Sequence, residues 1–415
     1  MRSPKQLGKK TSLYQYYAGF SGEFVIDIVE KYASPGMRIL DPWNGSGTTT
    51  SICSNMEYKS VGMDVNPATL PIAWARLCGF KQISEICTKV ITTNNQAFFD
   101  NVFEDSSDNL IELFFDKDSC SVLRGLRSWI VTAAKEIACE SESQIEYAIS
   151  GVGFVIFSEV IREAMKPLRG TNPSWFRRPN HDNLIKIDRS QASSSIKKIA
   201  AEMLGKVGEK NHSKDLAVWP DLILGDVRSD VEKLGKFDLV ITSPPYCTRI
   251  DYAIATIPEL IALGNVSSHD FEALRSEITG AVLTSAKEDL SRWDNQFGVA
   301  EIMQKIIQHP SKASSTYYAR YFSRYFNDLK ISIEQLVRYT GAGHFAMVVQ
   351  SSYFKDVKID LGKIVSEMFE ANGCSSISSA SYPSRPTIAG SNPHAKSYRD
   401  FNVQTEDVLI FKGKG

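Results

Sequence analysis

The stretch Asp41-Pro42-Trp43-Asn44-Gly45-Ser46-Gly47-Thr48-Thr49-Thr50 constrains the chain more than any other. It follows an apolar run, Met37-Arg38-Ile39-Leu40, that reads as a buried strand, and it precedes a Thr/Ser/Ile stretch that can begin a helix. A strand that enters a Gly-x-Gly turn and then a helix brings bare backbone close to a ligand. It also aims helix N–H groups and a positive dipole end at whatever sits there. This outlines a cofactor pocket, with a tight βα turn that holds no ligand as the competing reading. A second stretch bears on the choice. Phe237-Asp238-Leu239-Val240-Ile241-Thr242 is another apolar strand, and it ends in Ser243-Pro244-Pro245-Tyr246, where a strand's carboxyl end opens onto the same crevice.

Together, Asp-Pro-x-x-Gly-Ser-Gly-Thr-Thr and Thr-Ser-Pro-Pro-Tyr resemble the S-adenosylmethionine-dependent DNA amino-methyltransferases, which make N4-methylcytosine or N6-methyladenine. The resemblance covers residues 12–80 and 219–412, and the stretch between them carries none. It implies an α/β, Rossmann-like, seven-stranded, mostly parallel sheet with helices on both faces. Residues 1–80 and 215–415 then form the catalytic domain, and 81–214 form a largely helical insertion that is a candidate for target recognition. The implied cofactor is S-adenosyl-L-methionine, and the implied partner is duplex DNA with a flipped base. A restriction or defence-system protein is a further implied partner.

The resemblance carries cofactor-binding roles onto Asp41, Pro42, Gly45, Gly47 and Thr48 of the turn. It also assigns Phe20 and Ser21, in an aromatic-rich segment, to close over the methionine end of the cofactor. From the residues alone, Ser21 caps a helix whose apolar positions are 24, 25, 28, 29 and 32. Lys59-Ser60-Val61-Gly62-Met63-Asp64 reads as a second strand ending in an acid, which can accept hydrogen bonds from both ribose hydroxyls. Capping a helix over 67–77 is the other role open to Asp64. A nicotinamide cofactor fits poorly, because Gly-x-Gly-x-x-Gly fails at Thr50. The third strand, 221–226, ends in Gly225-Asp226. The resemblance makes Asp226 the acceptor for the cofactor's adenine amine, with a turn-forming Asp before a helix over 228–234 as the competing reading.

Helical patterns are predicted at 106–116, 121–138, 143–167 and 192–207. Between them lie Trp175, Phe176, Arg177 and Arg178, where arginines beside aromatics suit a phosphate backbone and a distorted base. A surface loop pinned by Trp175 is the alternative. Arg249, just past the Ser-Pro-Pro-Tyr turn, joins Trp175, Arg177 and Arg178 as a candidate substrate contact. Residues 262–316 read as polar and irregular in parts and form a second candidate for target recognition. A helix over 317–339, a strand over 345–350, a helix over 360–371 and strands near 375–383 and 407–411 complete the sheet. The polar loop 385–396 lies between the last two strands.

The chemistry at Ser243-Pro244-Pro245-Tyr246 follows from the substrate. An exocyclic amine is a poor nucleophile because its lone pair is delocalised into the ring. Acceptors for its N–H groups, here Ser243 and a main-chain carbonyl near Pro244, free that lone pair. The prolines stiffen the backbone and remove competing donors. Tyr246 stacks on the flipped base. No metal is required, and no metal-ligand cluster is evident. Cys247 would serve C5-cytosine chemistry as a thiolate, but it reads more simply as a small buried residue. In the resembled family, Ser at the first position accompanies cytosine N4 more often than adenine N6.

Bulk properties fit this reading. The formal net charge of −1 leaves any DNA contact to a local basic face. Seven cysteines without a Cys-x-x-Cys pair suit a reducing cytosol. The N-terminal residues carry charge without an apolar core behind them, which predicts a cytoplasmic chain with no membrane segment. An RNA amino-methyltransferase acting on tRNA guanine and a non-enzymatic nucleic-acid-binding subunit are the alternatives.

Overall fold

The computed structural model describes Tyr14 and residues 19–100, 109–138, 142–170, 175–207, 216–248, 250–281, 290, 293, 297–383 and 405–414. The basic N-terminal residues, Arg249 and the loop 385–396 lie outside them.

The chain begins with α1 (Gly22–Tyr32), β1 (Arg38–Asp41), α2 (Thr48–Asn55), β2 (Lys59–Asp64) and α3 (Thr69–Ala75). Four helices follow: α4 (Phe80–Thr92), α5 (Lys117–Ile137), α6 (Ser143–Ala164) and α7 (Arg189–Lys206). Next come β3 (Asp221–Leu224), β4 (Leu239–Thr242), α8 (Tyr252–Ala255), α9 (Ile257–Leu263), α10 (Ser268–Glu277), α11 (Val299–Gln308) and α12 (Ala319–Thr340). The chain closes with β5 (His344–Gln350), the hairpin β6 (Ser352–Phe354) and β7 (Val357–Ile359), α13 (Leu361–Ala371), β8 (Ser375–Pro383) and β9 (Thr405–Lys412).

Seven strands form one sheet in the order β3-β2-β1-β4-β5-β9-β8. The first five run parallel, and β9 is antiparallel to both of its neighbours. This is the expected α/β sheet. Strand period two sorts its side chains. Ile39, Leu239, Ile241, Ala346 and Val348 pack on one face with Phe24, Val25, Ile28 and Val29 of α1. Leu40, Val240, Phe345, Met347 and Phe411 pack on the other with the aromatic faces of α12 and α13. Tyr321, Phe322, Tyr325 and Phe326 of α12 are therefore core.

The helices α4 to α7 occupy the predicted insertion and share a core with α3 and with α8 to α10. By length and composition alone, α6 could cross a membrane, but its buried face packs against α3, α5, α7 and α9. Some expectations shift. Only a 3₁₀ turn, Leu110–Leu113, is described within 106–116, and 228–234 holds a 3₁₀ turn, Val231–Leu234. Residues 262–316 contain α10 and α11. The predicted helices omit α4, although Ile83, Ile86, Cys87 and Val90 mark its buried face at helical spacing.

Candidate active site

The connections from β1 and β4 leave towards opposite ends of the sheet, so the loops after these paired strands part and leave a crevice. A cleft of about 700 Å3, counting its open mouth, lies there. Pro42, Trp43 and Gly45 line it after β1, Asp64 and Asn66 after β2, Asp226 and Arg228 after β3, and Ser243 to Tyr246 after β4. The two motifs, about two hundred residues apart in sequence, meet at one site.

The glycine turn is held from below. Asp41 is 2% exposed and does not line the cleft. Its Oδ2 accepts the Thr49 hydroxyl at 2.6 Å, and its Oδ1 accepts the Thr242 hydroxyl at 2.6 Å. One carboxylate thus joins β1, α2 and β4. Burial raises it from 3.8 to about 6, against the pull of these bonds. Gly47 has φ +77°, and a Cβ there would stand 2.8 Å from the Cβ of Ala73, so glycine is required both by backbone and by packing. Both glycine amides of the turn are already used. Gly45 N–H donates to Asp64 Oδ2 at 2.9 Å, and Gly47 N–H donates to the Asn44 carbonyl at 2.8 Å. These two glycines therefore offer a ligand close approach to backbone rather than free N–H donors. Arg76 braces it from α3's end, with Nε 2.8 Å from the Ser46 carbonyl oxygen, and burial lowers the guanidinium to about 10.

Asp64 sits at the cleft with one oxygen on Gly45 N–H and the other on Asn66 N–H, at 2.9 Å each. Burial pushes its carboxyl up to about 6. Asp226 follows β3, the strand paired with β2, and is gripped by Arg228 with Nε 2.9 and 3.0 Å from the two carboxylate oxygens. Arg228 also reaches Asp328 at 2.9 Å and the Glu277 carbonyl.

Three tyrosines set the Ser-Pro-Pro-Tyr turn. The Tyr252 hydroxyl accepts Tyr246 N–H at 3.2 Å, the Tyr325 hydroxyl donates to the Pro245 carbonyl at 2.8 Å, and the Tyr246 hydroxyl donates to Glu406 Oε1 at 3.0 Å. Burial pushes the Cys247 thiol well up, which leaves it protonated and a poor nucleophile.

Other candidates lie elsewhere. Ser21 accepts Phe24 N–H at 3.3 Å as the cap of α1, and Phe20 packs against Phe24 at 5.4 Å; neither lines the cleft. Thr48, the first residue of α2, is also outside the lining. In the loop after α6, Phe176 is the buried pin at 3% exposed, while Trp175 stands out at 37%; this corrects the expectation that Trp175 anchors the loop. Arg177 and Arg178 are exposed beside it, and none of the three lines the cleft. Among the lining residues that sequence reasoning missed, Asn66 carries only the local signal of Asn-Pro after the acid, and Arg228 only its nearness to Asp226. Tyr252, Tyr325 and Glu406 arrive through tertiary contacts with no local signal.

No family model matches the chain. The type II methyltransferase M.BsoBI of Geobacillus stearothermophilus is 24% identical over 284 residues, which are 62% of this chain and 54% of that protein. The type II methyltransferases M.AvaI of a Nostoc species and of Anabaena variabilis are each 23% identical over 404 residues, 87% of this chain and 78% of theirs. The chain thus spans about half the length of the first relative and over three-quarters of the others. The chain is thus similar in sequence, at low identity, to proteins named as type II methyltransferases.

Proposed function

We propose that this chain is a site-specific DNA methyltransferase that modifies the exocyclic amine of a flipped base, cytosine N4 before adenine N6, with S-adenosyl-L-methionine as methyl donor. One observation carries the reading: Gly45 and Asp64 on one side and Ser243 to Tyr246 on the other line a single cleft at the carboxyl ends of the parallel strands. The relatives named as type II methyltransferases support it.

The residues fit the donor. Each Asp64 oxygen accepts one main-chain N–H, which leaves lone pairs for two ribose hydroxyls. Asp226, fixed by Arg228, is the acceptor for an adenine amine. Trp43 and Pro42 give apolar walls. When bound, the donor supplies an electrophilic methyl group on a sulfonium.

On the substrate side, the Ser243 hydroxyl and the Pro244 carbonyl are the acceptors for the base amine. The Pro245 carbonyl is already claimed by Tyr325, so the choice falls on the earlier proline. Drawing on both N–H groups makes the nitrogen more tetrahedral and its lone pair more available. Tyr246 replaces part of the stacking lost on flipping. Residues 81–214 and 262–316 are the candidate target-recognition regions, and Trp175, Arg177, Arg178 and Arg249 are candidate contacts to DNA. A restriction enzyme of matching specificity is the proposed partner.

The test is incubation of the full chain with labelled donor and separate pools of duplex DNA, single-stranded DNA and tRNA, followed by nucleoside analysis. N4-methylcytosine in duplex DNA is the expected product. Label confined to tRNA would replace the DNA reading with an RNA one, and cofactor binding without transfer to any pool would leave a binding subunit.

A further inference from the structure

We propose that Glu406 is a positioning residue for Tyr246, holding the phenol ring against the flipped base as positive charge builds on that base. The proposal rests on the methyltransferase reading above. Its geometry comes from the sheet. Because β9 runs antiparallel to β5, its first residues reach the edge where the parallel strands end, and Glu406 pairs in register with Gln350 at the end of β5. There it is 2% exposed, a carboxylate placed beside the catalytic turn by a strand 160 residues further along the chain.

The turn's backbone is fixed without Glu406, since Tyr252 and Tyr325 hold the amide of Tyr246 and the carbonyl of Pro245. The 3.0 Å bond from the Tyr246 hydroxyl to Glu406 bears instead on the two side-chain torsions that set the ring. Tyr246 lines the cleft while its hydroxyl is engaged with β9, so the ring is what the cleft receives. Burial, then the neighbouring Glu406, keeps the phenol protonated and able to donate.

The charge argument concerns the transfer step. The amine lone pair forms the new N–C bond, the old C–S pair leaves with sulfur, and positive charge passes to the base until its proton departs to water. An aromatic face attracts such a cation, and a carboxylate bonded to the ring's hydroxyl raises the electron density of that face. Glu406 therefore acts on the transfer step through Tyr246, and it has no direct part in holding the donor.

The experiment measures single-turnover methyl transfer and donor Kd for Glu406→Gln, Tyr246→Phe and the double variant. Glutamine keeps an acceptor oxygen and the side-chain shape but removes the charge. The expected result is a loss of about tenfold in the transfer rate for each single variant, unchanged donor Kd, and a double variant no slower than the worse single. A further tenfold loss in the double variant, or a wild-type rate for Glu406→Gln, overturns the proposal. If Glu406→Gln does not fold, Tyr246→Phe alone must show the loss, and a wild-type rate there overturns it equally. A second readout is independent of activity. Fluorine NMR of 3-fluorotyrosine at position 246 is expected to shift and broaden in Glu406→Gln, and an unchanged resonance overturns the pairing. A wild-type chain that methylates no nucleic acid while this resonance shifts sinks the methyltransferase reading and leaves the ring restraint standing.

Discussion

Asp41 carries a charge into the protein interior with hydroxyl and amide donors as its partners. Its raised carboxyl value, about 6 against 3.8, means that the folded state holds the proton more tightly than the unfolded chain. The stability gained from that proton is complete below about pH 4 and lost as pH rises through about 6. Comparing wild type with Asp41→Asn isolates this effect. The stability difference is expected to move in the variant's favour by up to about 3 kcal/mol between pH 4 and pH 8, read from urea unfolding. At the cleft, Ser243→Ala and Tyr246→Ala are each expected to slow methyl transfer by about a hundredfold or more with donor Kd retained. Asp64→Ala is expected to weaken the donor in calorimetry. Equal loss of donor affinity in the first pair would show that the two sides of the cleft are assigned wrongly. Donor affinity is also expected to fall as pH drops below about 6, because protonated Asp64 has lost lone-pair acceptors and its charge. The residues of both turns were legible because strand ends and Gly or Pro punctuation are local signals. Asp41 was legible as part of the motif, but its place beneath the cleft depends on Thr242, two hundred residues away.

The element that most tightly links the helical unit to the sheet is the α3–α6 pair. Gly151 on α6 permits it: a Cβ there would stand 2.4 Å from the Pro71 carbonyl oxygen and 2.6 Å from the Ala75 amide nitrogen. Both clashes are with backbone, so neither yields to a rotamer change. Gly151→Ala is expected to lower stability by about 2 kcal/mol in chemical unfolding, although alanine is the better helix former. A neutral or stabilising result would mean that the two helices are not so close. The sheet strands and the helices α5, α6, α7, α12 and α13 announced themselves through apolar period and length, and their boundaries fall within a few residues of the predicted ones, whereas α4 was missed. The β6–β7 hairpin did not announce itself. Its strands are three residues long, and its turn depends on Lys355 at φ +56°, which no turn-forming glycine or asparagine signals.

Across the whole molecule, the helices between β2 and β3 are continuous in packing with the α8 and α9 region that follows β4. A buried ion pair marks the join. Glu259 of α9 is 0% exposed and accepts both the Arg162 guanidinium of α6 and the Tyr14 hydroxyl, the latter at 2.8 Å. Glu259→Gln leaves Arg162 with weakened compensation and is expected to destabilise the chain by about 3 kcal/mol. A change below about 1 kcal/mol would show that Glu159, 3.8 Å from Arg162, takes over the pairing. The sheet class was readable from alternating strands and helices, whereas this shared core was not, since apolar helix faces do not declare their partners. Thr49 and Thr242 donate to the two oxygens of a single carboxylate beneath the crevice, so the spacing between the glycine turn and the Ser-Pro-Pro-Tyr turn is set from the floor, and in the proposed reaction that spacing is the reach from donor to base.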